Sequence, residues 1–130
     1  DVEIIAGFTY AWPDFFPDTI SKMEAILQAN PDIVGVFATF DGVGVAAAEA
    51  IREAGLQDQI SVVGIDGDPQ AYEEMSKPNS PFKATVAQDP DTMARTAVRM
   101  LFKLLNGEKL PRRHEYIPAN LVTIEELSEF

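Results

Sequence analysis

Residues 33–67 read IVGVFATFDGVGVAAAEAIREAGLQDQISVVGIDG, and their pattern decides the fold. Residues 33–38 (IVGVFA) form a continuous apolar run, as expected of a strand covered on both faces. Asp41 stands where a helix N-cap belongs, and residues 45–53 make a small-residue helix closed by the C-cap signal Ala54-Gly55. Residues 60–65 (ISVVGI) are a second apolar run, ending in Asp66-Gly67-Asp68-Pro69, strong turn chemistry. A strand, a helix and a strand in this order predict a crossover between parallel neighbours.

The same alternation extends in both directions. Residues 2–8 (VEIIAGF) read as a strand, followed by an aromatic and proline-rich loop over 9–17. Asp18-Thr19 opens a helix whose apolar residues Ile20, Met23, Ile26 and Leu27 recur at three- and four-residue spacing, and Asn30-Pro31-Asp32 ends it. Downstream, residues 71–75 predict a short helix broken by 77–81 (KPNSP), and residues 82–87 (FKATVA) a further strand. Asp89-Pro90-Asp91 starts a long helix to Leu105, stopped by Asn106-Gly107, with Met93, Ala94, Ala97, Val98, Leu101, Leu104 and Leu105 along one stripe. Tyr116-Ile117 and residues 121–124 predict short terminal strands. The order argues for an α/β, doubly wound, mostly parallel sheet. In such sheets ligands bind beyond the carboxyl ends of the strands, which directs attention to residues 8–16, 39–42, 66–68 and 88–89.

Bulk properties narrow the function classes. The 130 residues suit one modest domain, with 46% hydrophobic and 24% charged residues. A formal net charge of -11 repels nucleic acid and anionic membranes. The one basic cluster, Arg112-Arg113-His114, reads as a solvated turn. Cysteine is absent, so no disulfide framework or thiolate metal site is expected, and no metal-ligand spacing or cofactor motif of convincing form occurs. No apolar run approaches a membrane span, and no catalytic set is evident, since the single histidine, His114, lies in a charged turn.

Three groups of residues at the predicted strand ends carry chemistry. Gly42-Val43-Gly44-Val45-Ala46-Ala47 fits G-x-G-x-x-A, with Asp66 at the end of the next strand in the place of a ribose-binding acid. Asp41 directly before the first glycine opposes that dinucleotide reading, because a carboxylate there faces a pyrophosphate at the same helix terminus. The competing reading has Asp41 cap the helix while the glycines permit a tight turn and close helix–sheet contact. The second group is aromatic: Phe8, Tyr10, Trp12, Phe15 and Phe16 fall within one loop, and Phe40 ends the next strand. Some are core, but Trp12 in such a loop offers a platform for a sugar face, whose C–H groups pack on rings. The third is Asp66 with Gln88, which end two strands. A carboxylate accepts paired bonds from adjacent hydroxyls, and an amide both donates and accepts. Their structural alternatives are a turn cap for Asp66 and a helix cap for Gln88.

Taken together, Asn30-Pro31-Asp32, Val36-Phe37-Ala38, Asp41, residues 46–55 (AAAEAIREAG), 62–67 (VVGIDG), 85–90 (TVAQDP) and 118–123 (PANLVT) resemble the ribose/galactose type of periplasmic binding protein (type I). The resemblance implies a non-enzymatic receptor, periplasmic or extracellular, with a lipoprotein anchor as one form. Such a receptor captures a sugar or polyol and passes it to the permease of an ABC transporter. It implies sugar contact for Trp12 or Phe15 and hydroxyl binding for Asp66, and it puts Gln88 at a hinge crossing. The family commonly has Asn where this chain has Phe40. Loss of that amide removes two donors and an acceptor, shifting expectation from ribose itself to a polyol, another sugar or a less polar solute.

In organisation, the resemblance implies that residues 1–88 are most of a C-terminal ligand-binding lobe. Residues 89–117 are a segment that returns to an N-terminal lobe, and 118–130 a terminal hinge crossing and tail. The family lobe has strand order 2-1-3-4-5, and this chain offers strands 2 to 5 without strand 1. The expectation is an incomplete lobe from a chain of roughly 300 residues. The missing N-terminal lobe or a second copy of the chain would complete it, unless the strands at 2–8 and 33–38 pair directly. The rival is the effector-sensing core of a LacI-type repressor, which shares the fold. A phospho-acceptor receiver is a weaker third, lacking clustered acids at its first strand.

Overall fold

The computed structural model describes residues 2–127. Its elements are α1 (Phe15–Ala29), β1 (Gly35–Phe37), α2 (Asp41–Glu53), β2 (Ser61–Asp66), α3 (Pro69–Met75), β3 (Phe82–Ala87), α4 (Pro90–Leu105), β4 (Asn120–Thr123) and α5 (Ile124–Leu127). The sheet order is β1-β2-β3-β4. The first three strands run parallel and β4 returns antiparallel to β3, so the mostly parallel α/β sheet forms as expected.

The core lies on one face of that sheet. Met23 and Leu27 of α1, Ala47, Ala48, Ala50 and Ile51 of α2, Val62 of β2, Ala71 and Met75 of α3, and Phe82 of β3 form one buried cluster. The alanines of α2 carry no side chain beyond Cβ, so this helix lies close against the strands while α1 packs on it. Along β2 the pleat turns Val62 and Gly64 inward and Ser61 and Val63 outward. A buried carboxylate, Glu74 of α3, fastens the amino-terminal side of β3. It pairs with Arg52 of α2 and with Lys77 at 2.7 Å, and accepts from Ser80 Oγ at 3.2 Å. Ser80 Oγ in turn accepts the Phe82 N–H at 3.1 Å.

The opposite face is uncovered among the described residues. Phe37 and Val63 are in register, as are Val86 and Leu121, and they are 66%, 39%, 36% and 61% exposed. Helix α4 buries none of its residues, and its apolar stripe, with Val98, Leu101, Leu104 and Leu105, faces solvent. An incomplete lobe has these properties.

Several local expectations change. Residues 2–8 form no strand: Val2 is 97% and Ile4 89% exposed. A strand exists only where its N–H and C=O groups find partners, and β1 pairs with β2 alone, so direct pairing of 2–8 with 33–38 does not occur. Helix α1 begins earlier than Asp18, at Phe15, because Pro17 fits a first turn whose N–H groups have no intrahelical acceptor. Helices α2 and α3 likewise start at Asp41 and Pro69. Tyr116-Ile117 stays out of the sheet, while the other terminal strand forms at Asn120–Thr123.

Candidate functional site

The carboxyl ends of β1, β2 and β3 share one edge, and the predicted residues gather there in two groups joined by Asp41. The first group is aromatic. Tyr10, Phe15 and Phe40 meet edge to face, with centroids 5.3 Å apart for Tyr10–Phe40 and 5.1 Å for Phe15–Phe40. Trp12 stacks on Phe15 at 5.7 Å with 11° between planes and remains 76% exposed. Phe16 touches Phe15 at 6.4 Å. Trp12 and Phe15 therefore belong to one surface with Phe40, and Phe8 instead packs against the core. The loop bearing the rings is tied down by Asp18, which accepts the Ala11 N–H at 2.8 Å and Lys22 Nζ at 2.7 Å. Lys22 also donates to the Thr9 carbonyl at 2.7 Å. The bonds from Lys22 and from the Ala11 N–H hold the Asp18 carboxyl below the usual carboxylate range.

The second group is Asp66 with Gln88. Gln88 Nε2 donates to Asp66 Oδ1 at 2.5 Å, and the Gln88 N–H bonds the Asp66 carbonyl at 3.0 Å. Asp66 has φ of 126°, a region that side-chain-bearing residues rarely adopt and that must be held by its surroundings. Among the described residues the Asp66 carboxylate bonds Gln88 rather than its own turn, and α4 is capped not by Gln88 but by Asp89, which accepts from Thr92 N at 2.9 Å and Thr92 Oγ1 at 2.6 Å. These two bonds keep the Asp89 carboxyl below its usual range. Both Asp66 and Gln88 thus retain unused hydrogen-bonding capacity at the sheet edge.

Asp41 departs furthest from expectation. It is not the N-cap of α2; Phe40 occupies that position and makes no side-chain cap. The Asp41 carboxylate is fully buried and turns toward the sheet. Oδ2 accepts the N–H groups of Gly67 and Asp68, each at 2.8 Å, and Oδ1 accepts Thr85 Oγ1 at 2.7 Å. A lone helix cap satisfies one or two local donors, whereas these bonds join three elements. Burial raises its pKa, opposed by the bonds from Thr85, Asp68 and Gly67 and reinforced by the charge of Asp66. Gly64 makes the room, since a Cβ there would stand 2.4 Å from Asp41 Oδ1. Tyr72 of α3 lies beside the same turn, its hydroxyl pKa pushed up by burial and then by Asp41 and Asp68. Sequence reasoning missed this arrangement. Its only trace was a buried-strand threonine and a glycine inside an apolar strand, which often marks a close approach.

The geometry also disposes of the dinucleotide reading. Gly42 packs under the rings of Phe15 and Phe40, and Gly44 lies against Phe82, so the glycines serve helix–sheet contact and the helix terminus is roofed by aromatic rings. Among the described residues no group of three or more His, Cys, Asp and Glu could hold a metal ion, and no helix is long and apolar enough to cross a membrane.

Comparisons with known proteins agree with this architecture. Residues 16–109 match the model of the periplasmic binding protein domain. The ribose import binding protein of Salmonella typhimurium is 35% identical over 95 residues, which are 73% of this chain and 31% of that protein. The ribose operon repressor of Halalkalibacterium halodurans is 30% identical over 115 residues, 86% of this chain and 33% of the repressor. Among solved structures, the 5-methylthioribose transporter solute binding protein of Thermotoga lettingae superposes with a TM-score of 0.87 at 31% identity, covering 98% of this chain and 40% of that one. The chain thus spans about a third of the length of the curated relatives it matches. With its mostly parallel sheet, its carboxyl-edge cluster and a family match over most of its length, this chain belongs to the periplasmic binding protein domain family, with the type I fold.

Proposed function

We propose that this chain forms one wall of the ligand site in a non-enzymatic solute-binding receptor that delivers a sugar or polyol to an ABC transporter. The observation that carries this reading is the juxtaposition, at one sheet edge, of an aromatic surface and a carboxylate–amide pair. Trp12, Phe15 and Phe40 pack on the C–H face of the ligand, and Asp66 and Gln88 bind its hydroxyls. With Phe40 in place of an amide, the site favours a ligand carrying an apolar substituent or face. The relative named for 5-methylthioribose supports that preference. Residues 1–88 supply most of this lobe, 89–117 return to a second lobe, and 118–130 form the hinge crossing and tail, with residues 1 and 128–130 outside the described residues. The bare sheet face and the unburied helix α4 support completion by that lobe or by a second copy of the chain. The working location is periplasmic or extracellular, including a lipoprotein form.

The test is a titration of the full-length protein with pentoses, hexoses, polyols and 5-methylthioribose, read by tryptophan fluorescence and thermal shift. A ligand at 100 times its Kd stabilises by about 2.7 kcal/mol, so a silent screen sinks the sugar reading. The repressor relative keeps a second reading alive, the effector-sensing core of a LacI-type regulator. Sequence-specific binding of the full-length protein to operator DNA, relieved by the same ligand, would select it.

A further inference from the structure

We propose that Asp41 is the positioning residue of the ligand site, its buried carboxylate holding the Asp66–Asp68 turn in the one conformation that presents Asp66 to the ligand; this rests on the receptor reading above. Asp66 sits at a positive φ of 126°, a conformation that persists only where neighbours over-determine it. The two N–H groups that follow it, of Gly67 and Asp68, both end on Asp41 Oδ2 at 2.8 Å. Oδ1 is anchored by Thr85 of β3 at 2.7 Å, and Gly64 leaves the space the carboxylate fills. Asp41 from α2 thus takes both N–H groups of the turn, with Thr85 Oγ1 in longer contact with the Gly67 N–H at 3.3 Å and the Gln88 N–H on the Asp66 carbonyl at 3.0 Å. The Asp66 carboxylate, relieved of that task, keeps acceptor positions open beyond its single bond from Gln88.

The charges of Asp66 and Asp41 act on each other, and Asp41 and Asp68 act on the Tyr72 hydroxyl. Among the described residues no salt bridge includes Asp41, so its hydrogen bonds hold the carboxylate in place. Asparagine can reproduce this pattern. With its oxygen at the Oδ2 position it accepts both backbone N–H groups, and its amide nitrogen donates to Thr85 Oγ1. Alanine reproduces none of it.

The decisive experiment is a double-variant cycle in the full-length protein, using the strongest binder from the sugar, polyol and 5-methylthioribose panel. Asp41→Ala is expected to weaken binding at least tenfold, while Asp41→Asn stays within about threefold of the parent. In an Asp66→Asn background, Asp41→Ala should cost less than about threefold more, because the group it positions is already lost. Parental affinity in Asp41→Ala, or losses that simply multiply in the double variant, would overturn the proposal. Should Asp41→Ala not fold, Thr85→Val takes its place, and an affinity equal to the parent's refutes the role. If nothing on the panel binds the parent protein, the receptor reading fails by itself. The Gln88 side-chain amide protons then decide this proposal without ligand: a resonance shifted as by its bond to Asp66 is expected in the parent and lost in Asp41→Ala or Thr85→Val, and its persistence overturns the proposal.

Discussion

Replacement of Glu74 by alanine should lower stability by about 2–3 kcal/mol and leave ligand affinity unchanged. Glu74 is 2% exposed and carries Arg52, Lys77 and Ser80. Breaking a buried ion pair by removing one member costs about 3–5 kcal/mol when the survivor stays buried and unpaired. Here the surviving cations are not trapped, because the side chains of Arg52 and Lys77 are 36% and 49% exposed and can turn to water. What remains is the loss of charge-assisted bonds and a small void, which sets the lower figure. Ser80 still accepts the Phe82 N–H at 3.1 Å, so β3 should start in register. With a urea m-value of about 2 kcal/mol/M, the midpoint should fall by about 1–1.5 M. Because Glu74 acts at the amino-terminal side of β3, opposite the ligand edge, calorimetric titration should return the parent affinity. A midpoint shift below about 0.25 M, or a tenfold loss of ligand affinity, would show that this carboxylate does not brace β3 apart from the ligand edge.

Asp66→Asn should weaken sugar or polyol binding tenfold or more in calorimetric titration with little change in unfolding midpoint, since hydrogen bonds to a charged acceptor contribute roughly 1.5–3 kcal/mol each; equal affinity would return Asp66 to a purely structural role. Gly64→Ala should destabilise by about 1–3 kcal/mol and also weaken binding, because the new Cβ meets Asp41 Oδ1 at 2.4 Å and the Phe82 ring at 2.7 Å; denaturation and titration on the same sample check both effects. For acid dependence, Asp41 has a folded-state pKa raised above the usual carboxylate value of 3.8, so its contribution is fully present below that value and is lost as pH rises through the folded one. The stability of the parent relative to Asp41→Asn should therefore be greatest in acid and shrink toward neutrality, as urea midpoints measured across pH 3–7 would reveal. Asp89, whose pKa is lowered by its bonds to Thr92, has the opposite sign: the advantage of the parent over Asp89→Ala should hold above about 3.8 and fade as pH falls through the lowered value.

Legibility of the fold followed the range of the interactions. Apolar spacing located α1 and α4, short β-rich runs located β2 and β3, and small residues with cap signals located α2, because each of these signals is local. Residues 2–8 have equally good strand composition and form none, since a strand is a property of two segments and the partner of this one is absent from the sheet. The start of α2 at Asp41, ahead of the expected residue 45, has a related reason. Gly42 and Gly44 depress helix propensity, but their lack of side chains is what lets the helix pack under Phe15, Phe40 and Phe82, and packing outweighs propensity.

The site divided along the same line. The gathering of Phe40, Asp66 and Gln88 at the strand ends was legible from the α/β order whatever their partners, whereas Trp12, with no strand before its loop, reaches that edge by stacking on Phe15. The role of Asp41 was not legible, because an acid before a helix satisfies local capping statistics equally well whether it caps or not. The difference lies in Gly67, Asp68 and Thr85, remote in sequence and each unremarkable alone. Two buried carboxylates thus serve opposite ends of the sheet by different chemistry. Glu74 is enclosed by cations and a hydroxyl and braces the start of β3. Asp41, in no salt bridge among the described residues, relies on two backbone N–H groups and a threonine to brace the end of β2. Glu74 acts on stability alone, whereas Asp41 ties α2 to the sheet and, in the reading proposed above, also presents Asp66, so substitution of Glu74 should change folding without binding and substitution of Asp41 should change both.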